Sequence, residues 1–420
     1  METSIGKKEL KIPVPSFELP KATENILIWI LMIVQLTNMI DFVIIMPFNT
    51  VLVTAFGISQ HEFGLLVSSY TFSAAASAII GIFWLDKFDR KKTLLIVYTG
   101  FIIGTLLCGV ADSYMFMMIA RIVAGAFGGI MSAILFSIIG DMIPEQRRGA
   151  AMGKVMSAFA IASTAGIPLG IYVADHFDWH YAFLFLAALS AINLVVGFFY
   201  LPNMTVHLKR EQKFSALEVL KGIFKNSNTI YALIFMSLVM MAGFLLIPFI
   251  AAFIQFNEGF SFHDLEYMYL AGGIASFFTS RYIGMLSDKY GKAKVFQFVA
   301  FLSVLPIIAL TNLPQSSMFF VLLVTTLMFI FFGGRGVPAF ALVTSTVPPM
   351  YRGRFMSVSS AFQMGASGCA SLIAGVMVTQ TPDKHLVHFN NVGWLASAIT
   401  IICVILVVKV KPYEQTIIPS

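Results

Sequence analysis

Gly284-Met285-Leu286-Ser287-Asp288-Lys289-Tyr290-Gly291-Lys292 is a short polar stretch set between two long apolar runs. A related stretch, Asp86-Lys87-Phe88-Asp89-Arg90-Lys91, stands 202 positions earlier, again between apolar runs. A second pair repeats the spacing. Pro144-Glu145-Gln146-Arg147-Arg148-Gly149-Ala150-Ala151-Met152 matches Pro348-Pro349-Met350-Tyr351-Arg352-Gly353-Arg354-Phe355-Met356, with Pro, Arg, Gly and Met coinciding at an offset of 204. Two unrelated motifs at nearly one offset mark a long-period internal repeat. The chain reads as two copies of one unit.

The surroundings of these loops say what the unit is made of. Of 420 residues, 58% are apolar and 11% charged, against about 25% charged in soluble domains. That composition excludes disordered, collagenous and disulfide-framework classes. Cys108, Cys369 and Cys403 all lie inside apolar runs, so no disulfide is expected. A bilayer core about 30 Å thick needs roughly 20 apolar residues per helix. Twelve runs meet that length, near 26–53, 63–85, 93–111, 114–142, 152–175, 181–202, 228–256, 264–286, 295–313, 316–346, 355–380 and 391–408. The expected fold is an all-α membrane protein, with twelve transmembrane helices in two pseudo-symmetric six-helix bundles. Residues 1–24 form a cytoplasmic tail, 25–202 the first bundle, 203–227 a central cytoplasmic loop, 228–409 the second bundle, and 410–420 a second cytoplasmic tail.

The basic residues set the orientation. Of 27 Lys and Arg, 23 fall in the tails and in loops on one side. Arg121, Arg281 and Arg335 fall inside spans, and Lys384 alone falls on the opposite side. By the positive-inside rule both termini are cytoplasmic, in an inner or plasma membrane. The same distribution accounts for the net charge of +6 without a nucleic-acid partner. The opposite side carries eight acids (Glu62, Asp112, Asp175, Asp178, Glu258, Asp264, Glu266 and Asp383) and six histidines (His61, His176, His180, His263, His385 and His388). These either mark the water boundary or form a pH sensor or metal site; none shows ligand spacing within one helix, and no metal is expected.

The loop motifs resemble those of the major facilitator superfamily, within it the twelve-span drug/proton antiporters, including sugar-efflux-like bacterial members. The resemblance covers essentially the whole chain. The pattern G-x-L-x-D-[RK]-x-G-[RK] stands intact from Gly284 to Lys292. Its first-half copy has Ile82 for the first Gly and Asp89 for the second, which puts the tight turn there in question, because Asp adopts positive φ less readily than Gly. The resemblance implies a cytoplasmic gate built from Asp86, Lys87, Arg90 and Lys91 with Asp141 as ionic partner, and from Gly284, Asp288, Lys289, Gly291 and Lys292. It also implies close helix packing along Gly125, Gly128 and Gly129 after Arg121, and an antiporter-type bend in helix 5 at Gly166, Pro168 and Gly170. There this sequence carries one residue, Ile167, between the usual Gly-Pro pair.

Ionisable groups inside spans cost roughly 2.5–3.5 kcal/mol each on insertion scales, so they are expected to face a cavity and to serve function. Asp41 is the one carboxylate well inside a span. At 1.5 Å per residue it lies on the order of 16 Å from the outer end of its helix, and Arg121 about 10 Å deep in its own. An Asp41–Arg121 pair is therefore expected, either as a proton-coupling switch or as a static tie. Arg335, amid Gly333, Gly334, Gly336 and Pro338, either meets an anionic substrate group, or caps carbonyls or snorkels inward. By the resemblance, helices 1, 4, 7 and 10 line the cavity, bringing Asn38, Met236, Met240, Phe244 and Arg335 inward. Met236, Met240 and Phe244 share one face at i, i+4, i+8; such a stripe either contacts an apolar substrate or is lipid-facing or packing.

Two parallel six-helix halves can rock about a midplane site. The function expected is secondary active transport by alternating access, with proton-coupled efflux of a small organic compound or drug. A sugar or metabolite carrier of the same fold, or a non-transporting membrane receptor or scaffold, are the alternatives. Gly149–Lys154 lacks the spacing of a phosphate-binding loop, and no nucleophile elbow or metal spacing appears in the spans. No enzyme activity and no cofactor are expected. The partners are a small-molecule substrate, protons and the lipid bilayer, with the chain acting as a monomer.

Overall fold

A computed structural model describes residues 20–205, 208, 216–348 and 352–413. In a bilayer the backbone must satisfy its own polar groups, so apolar runs of this length fold as helices. They do so here: α1 Lys21–Ile44, α2 Asn49–Phe56, α3 Gln60–Trp84, α4 Arg90–Cys108, α5 Tyr114–Met142, α6 Glu145–Met156, α7 Ala158–Ile161, α8 Ile167–His176 and α9 Trp179–Tyr200. After α10 Ala216–Lys225 follow α11 Ser227–Phe244, α12 Ile247–Phe256, α13 Asp264–Tyr290, α14 Lys292–Thr311, α15 Met318–Thr344, α16 Arg352–Met377 and α17 Phe389–Leu406. Among the described residues eleven helical segments are long and apolar enough to cross a membrane. The remaining crossing, α13, is 27 residues long but carries Asp264, Glu266, Arg281, Asp288 and Lys289. The fold is that of an all-α membrane protein. One small exception is an antiparallel pairing of β1 Thr379–Gln380 with β2 Leu386–Val387, which turns the chain between α16 and α17.

Three expected spans are broken helices. The first bends at the turn after Ile44, which contains Pro47 and leads into α2. The seventh bends between α11 and α12, with Pro248 in the first turn of α12. Pro47 and Pro248 are 201 positions apart, so the two bends are repeats of each other. The fifth widens into a π-helical turn at Ala162–Gly166 between α7 and α8. Pro168 has no N–H to donate to the preceding turn, which removes one rung of the ladder there.

Helix starts obey local chemistry. Ser59 and Glu62 form a reciprocal capping box on α3, and Asp178 caps α9. Asp89 caps α4 by accepting from Lys92 N at 2.9 Å. The first-half loop thus needs no glycine: Asp89 sits at φ −56 as a cap, whereas Gly291, its counterpart, sits at φ 96. The two copies enter their following helices by different means.

Within the first half, α5 lies against α3 along its glycines. A Cβ at Gly129 would run into the Ala74 carbonyl, a backbone group with no room to give. Gly129→Val is expected to cost at least about 1–3 kcal/mol, the usual range for overpacking, read as a lower Tm in detergent.

The two halves meet mainly away from the basic loops. Asn49 Nδ2 donates to Pro248 O at 3.2 Å and Thr50 Oγ1 to Gln255 Oε1 at 3.0 Å. Ser68 Oγ donates to Gly368 O at 3.1 Å and Thr164 Oγ1 to Gly273 O at 3.0 Å. His263 and Asp175 pair at 3.0 Å. All of these bonds lie toward the end opposite the basic loops, called the far end below. The structure is closed there. Large apolar side chains such as Trp29, Phe199, Phe278 and Phe319 face outward, as a lipid solvent permits.

Candidate transport site

Asp41 and Arg121 meet in the first half. Asp41 is 0% exposed and Arg121 1%. Arg121 Nη1 donates to Asp41 Oδ2 at 3.1 Å and to the Asp41 carbonyl at 3.0 Å. Asp41 Oδ1 accepts from Thr105 Oγ1 at 3.0 Å. Both carboxylate oxygens therefore have donors, the arrangement an ionised acid needs when water is excluded. Arg121 Nε has no hydrogen-bond partner among the described residues. The guanidinium instead lies over the Tyr70 ring, 4.2 Å from its centroid, a cation–π contact.

From Tyr70 the contacts run to the other half. Its hydroxyl donates to Asn38 Oδ1 at 3.1 Å, and Asn38 Nδ2 donates to Gly128 O at 3.4 Å. The Tyr70 ring stacks on Phe42 at 5.5 Å, and Phe42 stacks on Phe244 at 5.2 Å. Phe42 and Phe244 are 202 positions apart, the same offset as the loop motifs. The pseudo-twofold relation thus places equivalent rings face to face between the halves. A narrow crevice opens beside them, lined by Asn38, Phe42, Tyr70, Ser132, Ser360 and Met364.

Of the expected cavity residues, Asn38 lines this crevice and Phe244 closes on Phe42. Met236 is buried and Met240 half-buried in the surrounding apolar core. Arg335 is 1% exposed and is held elsewhere: its Nη1 donates to Thr400 Oγ1 at 2.9 Å and Ser303 Oγ at 3.2 Å, on α17 and α14. It also covers the Phe332 ring at 4.0 Å. Among the described residues no carboxylate pairs with it. Those partners lie inside the second bundle, not at the crevice.

The helix-5 residues support Asp41 from behind. A Cβ at Gly166 would meet the Ile40 side chain and one at Gly170 that of Ile44. Close approach of α8 to α1 is thus set on either side of Asp41, with Pro168 opening α8 between the two glycines.

At the basic end the structure joins Arg90 to Asp141, Nε to Oδ2 at 3.3 Å, and Arg90 Nη1 donates to Leu85 O at 2.9 Å. Lys91 Nζ donates to Leu201 O at 2.7 Å. In the second half Lys292 Nζ donates to Ala341 O at 3.3 Å. Gly284 is half-buried, while Lys87, Asp288, Lys289 and Gly291 are exposed. Asp86 lies in the turn Leu85–Lys87, and its side chain is outside the described residues. Asp141→Asn removes one end of a largely buried charged bond, typically about 1.5–3 kcal/mol; a matching fall in Tm is expected, and an unchanged Tm would contradict the tie.

Thr105, Tyr70 and Phe42 are site residues that sequence reading passes over. Thr105 and Tyr70 carry no motif. Phe42 had a signal, its repeat spacing to Phe244.

The Major Facilitator Superfamily profile matches residues 31–280 and 236–417. The chain belongs to the Major Facilitator Superfamily. Among similar proteins is the uncharacterized MFS-type transporter YhcA of Bacillus subtilis, 29% identical over 153 residues; the match spans 36% of this chain and 29% of YhcA's length. Multidrug resistance protein 3 of Bacillus subtilis is 30% identical over 169 residues, 39% of this chain and 33% of that protein. The crystal structure of a D-xylose-proton symporter superposes with a TM-score of 0.74 at 17% identity, covering 93% of this chain and 98% of the other. This major facilitator is thus a multi-pass membrane transporter, built on the superfamily's fold.

Proposed function

We propose that this major facilitator works by alternating access and exports a small, largely apolar organic compound in exchange for protons. The observation that carries the reading is the Asp41–Arg121 pair, water-excluded yet linked through Tyr70 and Phe42 to Phe244 of the other half. Protonating Asp41 removes the anion that holds Nη1. The guanidinium keeps the Asp41 carbonyl and the Tyr70 face, and a shift of that ring is passed to the stacked pair between the halves. A proton on Asp41 thereby biases which way the site opens, as differential binding to two states requires.

The moving bodies are residues 25–202 and 228–409, joined through the loop 203–227. The far end is the external side, so the structure is closed outward, with both termini in the cytoplasm of a cell whose inner or plasma membrane holds the protein. The basic loops, with Arg90 and Asp141 at their centre, form the cytoplasmic gate. The substrate class follows the crevice walls: Met39, Phe42 and Met364 stand there beside Asn38, Ser132 and Ser360, the flexible Met and aromatic faces suit apolar ligands, and one relative bears the name of a multidrug resistance protein.

The test is flux in proteoliposomes under an imposed pH gradient, across a panel of lipophilic cations, neutral amphiphiles and sugars. Uphill movement of an amphiphile against the proton flow supports the proposal; movement of sugars alone, or flux indifferent to the gradient, removes it.

A further inference from the structure

Chemistry-bearing side chains that play no part in the buried pair gather at the far end, where the two halves touch. Asp175 and His176 close α8 of the first half; His263 and Glu266 stand at the start of α13 in the second. His263 Nδ1 lies 3.0 Å from Asp175 Oδ2 and 3.8 Å from Glu266 Oε1, and His176 Nδ1 lies 3.9 Å from Asp175 Oδ2. One ligand atom each from Asp175, His176 and Glu266 falls within 4.8 Å of the others. Glu266 Oε1 is shielded from solvent yet accepts no hydrogen bond among the described residues. Such a group lacks the partner that a shielded oxygen normally has.

We propose that Asp175, His176 and Glu266 bind a divalent transition-metal ion of the zinc class, with His263 orienting Asp175, and that the ion clamps the two halves together at the far end. One imidazole and two carboxylates suit such an ion, which takes three protein ligands and a water at about 2.0–2.2 Å. Those lengths set tetrahedral ligand atoms roughly 3.4 Å apart, so from separations within 4.8 Å the cluster contracts by up to about 1.4 Å. His176 and Asp175 have side-chain exposures of 44% and 28%, and side chains that open to water can turn by that much. His263 holds Asp175 through Nδ1, the carboxylate–imidazole contact that commonly aims a metal ligand. The ligands come from both α8 and α13. An ion bound to all three therefore favours the state in which the halves touch, and opposes opening at this end.

The clamp rests on the reading that the halves part at the far end during transport, whereas the site itself does not. The experiment separates the two. Purified protein is titrated with zinc chloride by equilibrium dialysis, and amide deuterium exchange is followed with and without the ion. The expected result is one ion per chain at micromolar concentration, with slower exchange in both 172–178 and 261–268. His176→Ala and Glu266→Gln should abolish binding, and His263→Ala should weaken it roughly 10–100-fold. His61→Ala, at the same end but outside the cluster, should bind as wild type and so shows that a histidine change there does not unfold the protein. No binding by wild type, or binding undiminished in His176→Ala and Glu266→Gln, overturns the site. Binding that slows exchange in one segment alone overturns the clamp. Zinc that binds and protects both segments but leaves proton-driven flux unaltered removes the parting of the halves at the far end and keeps the site.

Discussion

Asp41→Asn abolishes gradient-driven accumulation while downhill exchange of the same compound continues; this is the expected result with the largest effect on transport. One pH unit is worth about 1.4 kcal/mol per proton. A one-for-one exchanger therefore sustains roughly a tenfold concentration ratio per pH unit, and a carrier without its titrating group sustains none. Asparagine keeps the shape at position 41 and can still accept from Thr105, which approaches Asp41 Oδ1 at 3.0 Å. The substitution thus removes the charge and the exchangeable proton while preserving most of the packing. The measurement is the steady-state ratio in proteoliposomes against imposed ΔpH. A variant that tracks wild type over two or more units would remove Asp41 from the coupling, and the reading of the buried pair would shrink to a structural tie.

Arg121→Met is expected to produce the largest loss of stability. It leaves the Asp41 carboxylate, 0% exposed, with Thr105 as its remaining side-chain donor. Breaking a buried pair from one side typically costs about 3–5 kcal/mol, whereas replacing both partners by apolar or neutral groups is often close to neutral. The double variant Asp41→Asn/Arg121→Met should therefore recover most of the stability that the single variant loses. Thermal unfolding in detergent measures both, and the coupling is read from the cycle. Equal loss in single and double variants would mean that Arg121 contributes by its packing on Tyr70 and not by neutralising Asp41. Arg121→Lys sharpens the distinction. It keeps the charge but gives up the planar fork that both donates to Asp41 and stacks on the ring.

Much of this was legible beforehand because the signals are local or repeat at long period. Twelve apolar runs and the loop motifs at offsets of 202 and 204 gave the helices and their duplication. The Asp41–Arg121 pair was legible for another reason. Two opposite charges at similar depth in lipid have few other ways to be satisfied. Arg90 with Asp141 was legible through the resemblance of the loop. What sequence reading missed has no local signature. Thr105 is one hydroxyl in an apolar run, and its bond to Asp41 depends on how α4 turns. For Arg335 the sequence leaves substrate contact, a cap on backbone carbonyls and snorkelling open; the structure places it on the Ser303 and Thr400 hydroxyls of the second bundle. Its flanking glycines reported backbone freedom but could not report direction.

The bends show where the division falls. Only the bend of helix 5 was legible beforehand, at Gly166, Pro168 and Gly170; Pro47 and Pro248 sit at the bends of helices 1 and 7, yet Pro306 and Pro338, which lack the same N–H, lie inside unbroken helices. The sequence alone therefore determined the number of spans and their duplication, both consequences of solvation. Only the tertiary structure decided which side chains meet across the breaks: Asn49 on the Pro248 carbonyl, Phe42 on Phe244, His263 on Asp175. Those meetings depend on the rotation of each helix about its axis and on the closure of one half upon the other. Both are set by close packing summed over many weak contacts, which no single residue announces.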